Sequence, residues 1–288
     1  MEGCTLCPRM CGVDRNKTAG YCGSGSLAKA ARAAKHLWEE PCISGTEGSG
    51  TVFFSGCTLG CVFCQNREIS RGGVGKELTP EQLADAFRRL ETQGVHNLNL
   101  VTPTHFTPQI LQALELAQPG IPVVMNCGGY ERVETLQKLE GLVDIYLPDL
   151  KYADDPLAKA LSGVQDYFSV ATAAIREMVR QTGPVQWAGE KVRKGVIVRH
   201  LILPGYVENS LKVLDWLGEN FAPGEILVSL MRQYTPVGKQ LPPLDRRVTD
   251  EEYDAVLSWM FLNDLEGFTQ DAEAAEESFI PDFQQENN

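Results

Sequence analysis

The sequence lacks features that would point to a membrane or a nucleic acid as a partner. It has no run of the ~18 apolar residues that a membrane span needs, so we expect no membrane partner. It has no surplus of positive charge, because 26 Lys and Arg residues face 38 Asp and Glu residues and the formal net charge is −12. Proteins that bind nucleic acids carry a basic patch or stripe, and we therefore expect no nucleic-acid partner.

The start of the sequence also lacks the basic and apolar leader of a secreted protein, which predicts a location in the reducing cytoplasm. Disulfides are rare there, and clustered cysteines serve as metal ligands. Nine cysteines are present, so metal binding is the first hypothesis for them. A hydrophobic content of 43% and a charged content of 22% are typical of a globular protein with one sizeable core.

Apolar segments alternate with helix-like segments along most of the chain. Near-continuous apolar strands between helices indicate an α/β fold with a parallel sheet buried on both faces. Six strand–helix units predict a partial (β/α)6 TIM-like barrel, although periodicity alone leaves an open doubly wound sheet as the alternative. The predicted strands are 51–54, 97–101, 122–126, 142–147, 195–203 and 225–230. The predicted helices are 80–90, 108–117, 133–139, 156–161, 166–181, 210–220 and 250–262, with N-caps at Thr79, Thr107 and Thr249.

The chain divides into three predicted parts. Residues 1–48 form a small Cys-rich metal-binding segment that ends in a linking helix over 27–38. Residues 49–265 form the barrel, and 266–288 form an acidic tail. The charge of the tail predicts a solvated, partly disordered end, whereas its apolar group 279–283 could dock onto the body of the protein.

Three cysteines follow the first predicted barrel strand at close spacing. Cys57, Cys61 and Cys64 form a C-x3-C-x2-C pattern on the loop after residues 51–54. Three thiolates can hold three irons of a [4Fe–4S] cluster, whereas electron-transfer clusters take four. The fourth iron is then open to a substrate or cofactor. The alternatives are three small buried hydrophobic residues or part of a zinc site.

The segment 56–66, Gly-Cys-Thr-Leu-Gly-Cys-Val-Phe-Cys-Gln-Asn, resembles the signature of radical S-adenosylmethionine (SAM) enzymes. Within that superfamily it is most similar to the pyruvate formate-lyase activating enzymes, and the likeness extends from about residue 4 to 236. The resemblance implies a partial barrel with its site at the carboxyl ends of the strands. It also implies a [4Fe–4S] cluster that binds SAM at its open iron and cleaves it to a 5′-deoxyadenosyl radical, which abstracts hydrogen from a substrate.

The resemblance assigns SAM contacts to residues at the ends of the predicted strands. Asn66 follows the cysteines at a position near SAM, or else it caps a helix. Thr102 and Thr104 lie where the activating enzymes have a Gly-Gly-Glu segment, so their hydroxyls and carbonyls would replace its contacts. Asn126 falls on a SAM-contacting position, with an amide where relatives have a carboxylate.

An Asp-Leu-Lys motif at the end of the fourth predicted strand strengthens the resemblance. Asp149 and Lys151 point the same way because side chains alternate along a strand. They would hold the methionine part or the ribose of SAM, or else form a structural ion pair. Arg199 matches a position that approaches the SAM carboxylate, and Gln233, beside Tyr234, is a candidate for contact with adenine or substrate.

Two further residues have open roles. His105 lies at the predicted catalytic rim, where it acts in the site or packs ahead of a helix. Cys127 is either a thiol on the substrate side or a small buried residue.

A second set of cysteines precedes the barrel and consists of Cys4, Cys7, Cys11 and Cys22. Four thiolates make a closed site, which suits structural zinc or an auxiliary [4Fe–4S] cluster. A similar leader occurs in a group of activating-enzyme homologues. Cys42 is left over.

The activity implied is that of a radical SAM enzyme, an activating-enzyme-like oxidoreductase. Its substrate is a glycyl radical enzyme, another peptide or a small molecule, and its reductant is an electron donor such as flavodoxin or ferredoxin. Two other classes stay open. A non-catalytic iron–sulfur carrier predicts four ligands for each cluster, and a zinc-tied scaffold protein predicts stoichiometric zinc.

Overall fold

The computed structural model describes residues 3–270 and Phe283. Its strands are β1 (Ala28–His36), β2 (Ser49–Phe54), β3 (Lys76–Leu78), β4 (Leu98–Val101), β5 (Val123–Cys127), β6 (Ile145–Pro148), β7 (Gln186–Ala188), β8 (Lys191–Leu201), β9 (Leu227–Met231) and β10 (Gly267–Thr269). Its helices are α1 (Pro41–Ser44), α2 (Arg67–Ser70), α3 (Pro80–Thr92), α4 (Thr107–Ala117), α5 (Val133–Leu136), α6 (Asp155–Ser162), α7 (Tyr167–Thr182), α8 (Val207–Asn220) and α9 (Asp250–Leu262), with 3-10 turns at Thr104–Phe106 and Gln137–Leu139.

Six parallel strands form the centre of one continuous sheet. Their order is β2-β4-β5-β6-β8-β9, and every neighbouring pair is parallel. β10 adds in parallel to β9. At the other edge β1 pairs antiparallel with β2, and β3 pairs antiparallel with β1. This mostly parallel sheet with helical crossovers confirms the predicted α/β partial barrel.

The parallel strands are buried on both faces, because their side chains alternate between the helices outside and the concave interior. Tyr146 belongs to the large apolar cluster under the helices, whereas Val124 and Ile145 belong to a smaller inner cluster. α1 packs into that inner cluster with Ile43, and the Asn97 side chain, just before β4, donates to the Ile43 carbonyl at 2.8 Å. α1 therefore closes the barrel at the amino ends of its strands.

β1 corrects the predicted linking helix over 27–38. The segment is an extended strand paired antiparallel with β2. Its alanines favour helix intrinsically, but pairing with the edge of β2 satisfies the backbone and buries Ala28 and Ala30. Tertiary pairing overrides local propensity here, so this part of the Cys-rich segment joins the sheet.

Most other predicted elements agree with the structure within a few residues at each end. Thr79 and Thr249 cap α3 and α9, each in a capping box. Thr107 was predicted as a cap but is the first residue of α4, and its hydroxyl donates to the Thr104 carbonyl at 2.8 Å. β3, β7 and β10 are three residues long, too short to show a period in the sequence, and β10 lies within the segment predicted as a tail.

Phe283 is the one described residue beyond 270. Its ring packs edge-on against Phe53, with 5.4 Å between the ring centroids, so the predicted apolar group 279–283 touches the body of the protein at this residue. The acidic run that was predicted to be solvated lies outside the described residues. Across residues 3–270, none of the helices combines the length and the apolar character needed to cross a membrane.

Candidate active site

The three cysteines after β2 lie on a loop whose polar groups point at their sulfurs. Cys57 Sγ accepts the backbone N–H groups of Leu59 and Gly60 at 3.4 and 3.5 Å. Ser162 Oγ, at the end of α6, donates to the sulfur of Cys61 at 2.9 Å. Donors aimed at sulfur stabilise thiolates and tune an iron–sulfur cluster, so this loop suits cluster ligation.

Burial makes the thiols of this loop hard to ionise by themselves. Burial raises the pKa of Cys57 to about 11, and the neighbouring Cys61 adds to the shift. Burial and Cys61 also raise the pKa of Cys64, whereas Lys151 opposes the rise. Thiolates crowded in a buried loop need a cationic metal centre to hold their charge.

The geometry also bears on what kind of centre fits. Within residues 3–270 and at Phe283, no three His, Cys, Asp or Glu side chains converge as ligands of a single metal ion. A [4Fe–4S] cube presents its irons at separate corners, so its three cysteines need only surround it. Three cysteines on one loop are nevertheless the donor set that would hold three irons of such a cluster.

Oppositely charged side chains meet at the carboxyl ends of β6 and β8. Asp149 bonds to Lys151 and lies 3.6 Å from Arg199 Nε. Burial acts against the charge of Lys151, but Asp149 outweighs it and raises the pKa of Lys151 to about 12. Nearby carboxylates likewise outweigh burial and raise the pKa of Arg199. Both cations are therefore charged in the folded protein.

Two carboxylates that the sequence analysis did not single out complete this group. Glu39 and Glu40 precede α1, and the Glu39 carboxylate accepts from Arg199 Nη1 at 3.2 Å. Asn99 Nδ2 donates to Glu39 at 2.8 Å and Asn126 Nδ2 at 3.4 Å. Two acidic residues before a proline read in sequence as an ordinary helix start, so no local signal marks them.

Other predicted residues lie around this group. Thr102 has φ of +57°, a costly conformation for a β-branched residue, and its N–H donates to the Asn126 carbonyl at 2.8 Å. Asn66 occupies the N-cap position of α2 without a side-chain cap hydrogen bond. Within residues 3–270, no hydrogen bond joins Thr104 or Gln233 directly to the charged group. Gln233 Nε2 does donate to the Met231 sulfur at 3.7 Å, and Arg199 Nη2 donates to the same sulfur at 3.6 Å. Gln233 also accepts from Gln65 through its carbonyl at 2.8 Å.

His105 and Cys127 are buried packing residues in this structure. His105 Nε2 donates to the Ser55 carbonyl, just ahead of the cysteine loop, at 2.8 Å. Burial lowers the pKa of His105 to about 4, so its ring is neutral. Burial raises the pKa of Cys127 well above its ordinary value, which disfavours a reactive thiolate.

The four amino-terminal cysteines lie in one compact turn region. The Cys4 N–H donates to Val13 and its carbonyl accepts from Gly12, at 2.9 and 3.0 Å. A Cβ on Gly20 would lie 3.2 Å from the sulfur of Cys11 and 3.6 Å from that of Cys22. Burial raises the pKa of Cys7 to about 12. For Cys11, backbone N–H donors outweigh burial and lower the pKa.

Arg9 joins this region to the cysteine loop of the barrel. Its guanidinium donates to the carbonyls of Thr58, Ser162 and Gly163 at 2.9, 3.0 and 2.8 Å. It also stacks on Tyr21 at 3.8 Å from the ring centroid. Arg9, which lies between Cys7 and Cys11 in the sequence, thus binds the loop between Cys57 and Cys61.

A partial parallel barrel with a thiolate triad and a charged group at its strand ends defines a cofactor-binding barrel protein. The model of the radical SAM superfamily matches residues 51–217, which is more than half of the chain. The chain belongs to the radical SAM superfamily. The family implies a [4Fe–4S] cluster and SAM, and the triad fits that cluster.

The chain is also similar to individual proteins from three organisms. An uncharacterized protein of Methanocaldococcus jannaschii is 30% identical over 268 residues, which cover 89% of this chain and 73% of that protein. A pyruvate formate-lyase-activating enzyme of Clostridium pasteurianum is 30% identical over 118 residues, or 39% of this chain and 49% of that enzyme. A radical SAM methyltransferase from Sphaerobacter thermophilus shares the fold, with a TM-score of 0.52, 18% identity, and coverage of 76% of this chain and 65% of the methyltransferase.

Proposed function

We propose that Cys57, Cys61 and Cys64 hold a [4Fe–4S] cluster and that SAM binds at its open iron. When bound, the two supply reductive carbon–sulfur cleavage and hydrogen abstraction from a substrate. The observation that carries this proposal is the cysteine loop itself, whose sulfurs accept hydrogen bonds from the Leu59 and Gly60 N–H groups and from the Ser162 hydroxyl. The loop follows the carboxyl end of β2, the side of a parallel barrel where a cofactor and a substrate bind.

The side chains at the strand ends would hold SAM by its polar groups. Lys151 and Arg199 are buried cations suited to the SAM carboxylate, and Asp149 suits its amino group or its ribose. Asn126 and the strained backbone of Thr102 lie beside them. Asn66, Thr104 and Gln233 would contribute at the outer edge of the same site.

The substrate we propose first is a glycyl radical enzyme, because the similarity to an activating enzyme over 39% of this chain supports that class. The second candidate is a small polar molecule. The buried charged groups above α1 favour a small polar substrate. The glycine-bearing loop of a glycyl radical enzyme would need no charged partners at its reacting residue. A one-electron donor such as flavodoxin or ferredoxin would reduce the cluster, which fits a reducing compartment.

Anaerobic reconstitution with iron and sulfide, followed by addition of SAM and dithionite, tests the assignment. We expect the visible iron–sulfur absorbance and production of 5′-deoxyadenosine. Cys61→Ala should abolish that product, whereas Cys42→Ala, at the buried foot of the barrel, should retain it. An unchanged yield from Cys61→Ala, or no product from the unmodified protein, would overturn the proposal.

We further propose that Cys4, Cys7, Cys11 and Cys22 hold a second metal centre, either zinc or an auxiliary [4Fe–4S] cluster. Their place in one turn region, where the sulfurs of Cys11 and Cys22 both lie near Gly20, supports it. Metal binding would draw together side chains that, among residues 3–270 and Phe283, do not yet converge as ligands of one ion. Metal analysis of Cys61→Ala isolates this site, because the triad can no longer hold its cluster. Zinc at one equivalent indicates a structural ion, iron with sulfide indicates an auxiliary cluster, and neither metal contradicts the proposal.

A further inference from the structure

The loop between β1 and α1 places two carboxylates inside the barrel, above its closed end. The barrel-floor cluster consists of Glu39, Glu40, Asn99, Asn126 and Arg199. The side chains of Glu39 and Glu40 are each 7% exposed, and Asn99 is fully buried. Because α1 packs beneath them on the inner apolar cluster, these polar groups face inward and not toward bulk water.

Acceptor atoms of this cluster lack hydrogen-bond donors. Glu40 Oε2 and Asn99 Oδ1 are buried without a hydrogen-bond partner in the part of the chain that the structure describes. Asp149 Oδ1 and the donor Arg199 Nε also lack hydrogen bonds there, and they lie 3.6 Å apart as an ion pair. Native proteins pair almost all such atoms, since a buried acceptor without a donor is costly. Asn99 is held with its Nδ2 on Glu39, so its unpaired oxygen is fixed beside the carboxylates. Arg199 Nε carries a single hydrogen and can serve one acceptor at most, so the remaining unpaired oxygens indicate a ligand that donates hydrogen bonds.

The charged groups of the site also favour a cationic ligand. Among the described residues, the carboxyl groups of Glu39, Glu40 and Asp149 form ion pairs with the cations of Arg199 and Lys151. Lys151 is bonded to Asp149, and Arg199 lies 3.7 Å from Glu40 without a hydrogen bond to it. Burial raises the pKa of Glu39, with the neighbouring Glu40 adding to the rise against the pull of Arg199. The pKa of Glu39 reaches about 7, so this carboxyl is only partly ionised near neutral pH, and an added cation would favour its ionised form.

We propose that the barrel-floor cluster binds a primary ammonium group of the substrate. An ammonium carries one positive charge and three donors with no acceptor, which matches the unpaired oxygens of Glu40 and Asn99. His36 also faces this region, but burial lowers its pKa to about 4, so it adds no charge near neutral pH. As an account of the substrate, the inference rests on the proposed function and favours its second candidate, a small amine.

Calorimetric titration of the reconstituted full-length chain, without SAM or dithionite, tests the site. The probes are n-butylammonium and, as the neutral match of the same length, n-butanol. We expect the ammonium alone to bind. Glu40→Gln should weaken its affinity by about tenfold or more, because it removes a buried charge without changing shape. Glu40→Asp should keep part of the affinity, and Glu208→Gln, an exposed change on α8, should keep all of it.

Circular dichroism and cluster absorbance establish that each variant is folded. Equal affinity for n-butylammonium in the unmodified chain and in Glu40→Gln would overturn the inference, as would equal binding of n-butanol. A loss of SAM affinity in Glu40→Gln with amine binding unchanged would also overturn it, by assigning the residue to the cofactor. The proposed function is tested separately by the formation of 5′-deoxyadenosine. If that product forms but no amine binds, only the inference fails. If the amine binds but no product forms, only the proposed function fails.

Discussion

Ser162 lies at the end of α6, and its hydroxyl links two buried groups. It donates to the sulfur of Cys61 at 2.9 Å, and it lies 2.7 Å from the Tyr152 hydroxyl. Hydrogen bonds to cluster sulfurs stabilise the reduced, more negative form. The residue therefore tunes the centre that Cys61 would hold, although it lies 101 positions away in sequence.

Ser162→Ala should lower the reduction potential of the reconstituted cluster. A net hydrogen bond of about 1 kcal/mol corresponds to roughly 40 mV for one electron, so we expect a shift of that size to more negative values. A redox titration followed by electron paramagnetic resonance measures it. Ser169→Ala, at an exposed serine of α7, is the control, and equal potentials for the two variants would contradict the expectation.

Local spacing was a good guide to some single residues and a poor guide to others. The positions of Cys57, Asp149 and Lys151 followed from motifs and from the alternation of side chains along a strand. Glu39 and Ser162 did not, because their partners come from distant strands and helices. A side chain whose role depends on a partner far along the chain leaves no pattern in its own neighbourhood.

At the scale of elements, Arg9 is one of several side chains that attach the amino-terminal turn region to the barrel. Its carbonyl partners lie on the loop after β2 and at the end of α6. Arg132, before α5, adds a hydrogen bond to the Thr5 carbonyl at 2.7 Å, and Thr135 adds one to Leu6 at 2.8 Å. The region therefore stabilises the loops that form the mouth of the barrel.

Arg9→Ala should destabilise the protein and loosen the cysteine loop. It removes several charge-assisted hydrogen bonds, so we expect a loss of about 2–3 kcal/mol in the free energy of unfolding. Urea unfolding of the anaerobic protein measures this change. Arg247→Ala, at an exposed arginine, should change the free energy little, and a similar loss in both variants would argue against an attachment through Arg9.

Long elements with a clear apolar periodicity were predicted well, whereas short elements and edge strands were not. α3 and α9 agree in position and in their caps, because a capping box and an apolar stripe are local signals. β1 was assigned the wrong type, since its alanines carry helical propensity and its strand state comes from pairing with β2. Pairing partners decide such a segment more strongly than its composition does.

At the scale of the whole molecule, buried neutral histidines make stability depend on pH. His200 is fully buried, with Nδ1 donating to the Leu150 carbonyl at 2.6 Å and Nε2 accepting from Ser210 at 2.8 Å. Burial lowers the pKa of His200 to about 4 from its ordinary 6.5. The unfolded chain then binds the proton more readily. The stability that His200 contributes is complete above about pH 6.5 and is lost as the pH falls toward about 4.

Between pH 7 and pH 5 this histidine should cost the folded state about 2 kcal/mol. His200→Gln should remove that share, so its free energy of unfolding should fall less over the same interval than that of the unmodified protein. Urea unfolding at several pH values measures the slope. His96→Gln, nearer the surface, should change the slope less, and an unchanged slope in His200→Gln would contradict the prediction.

The sequence alone determined the α/β fold class and the position of the cysteine loop. The apolar periodicity of each strand and helix, and the C-x3-C-x2-C spacing, are local patterns that involve only neighbouring residues. Only the tertiary structure decided what fills the inside of the barrel. Arg199 and Glu39 are 160 positions apart, and they meet because β8 and the loop before α1 converge above the barrel floor. Contacts of that separation depend on how strands close around a core, which no local pattern encodes.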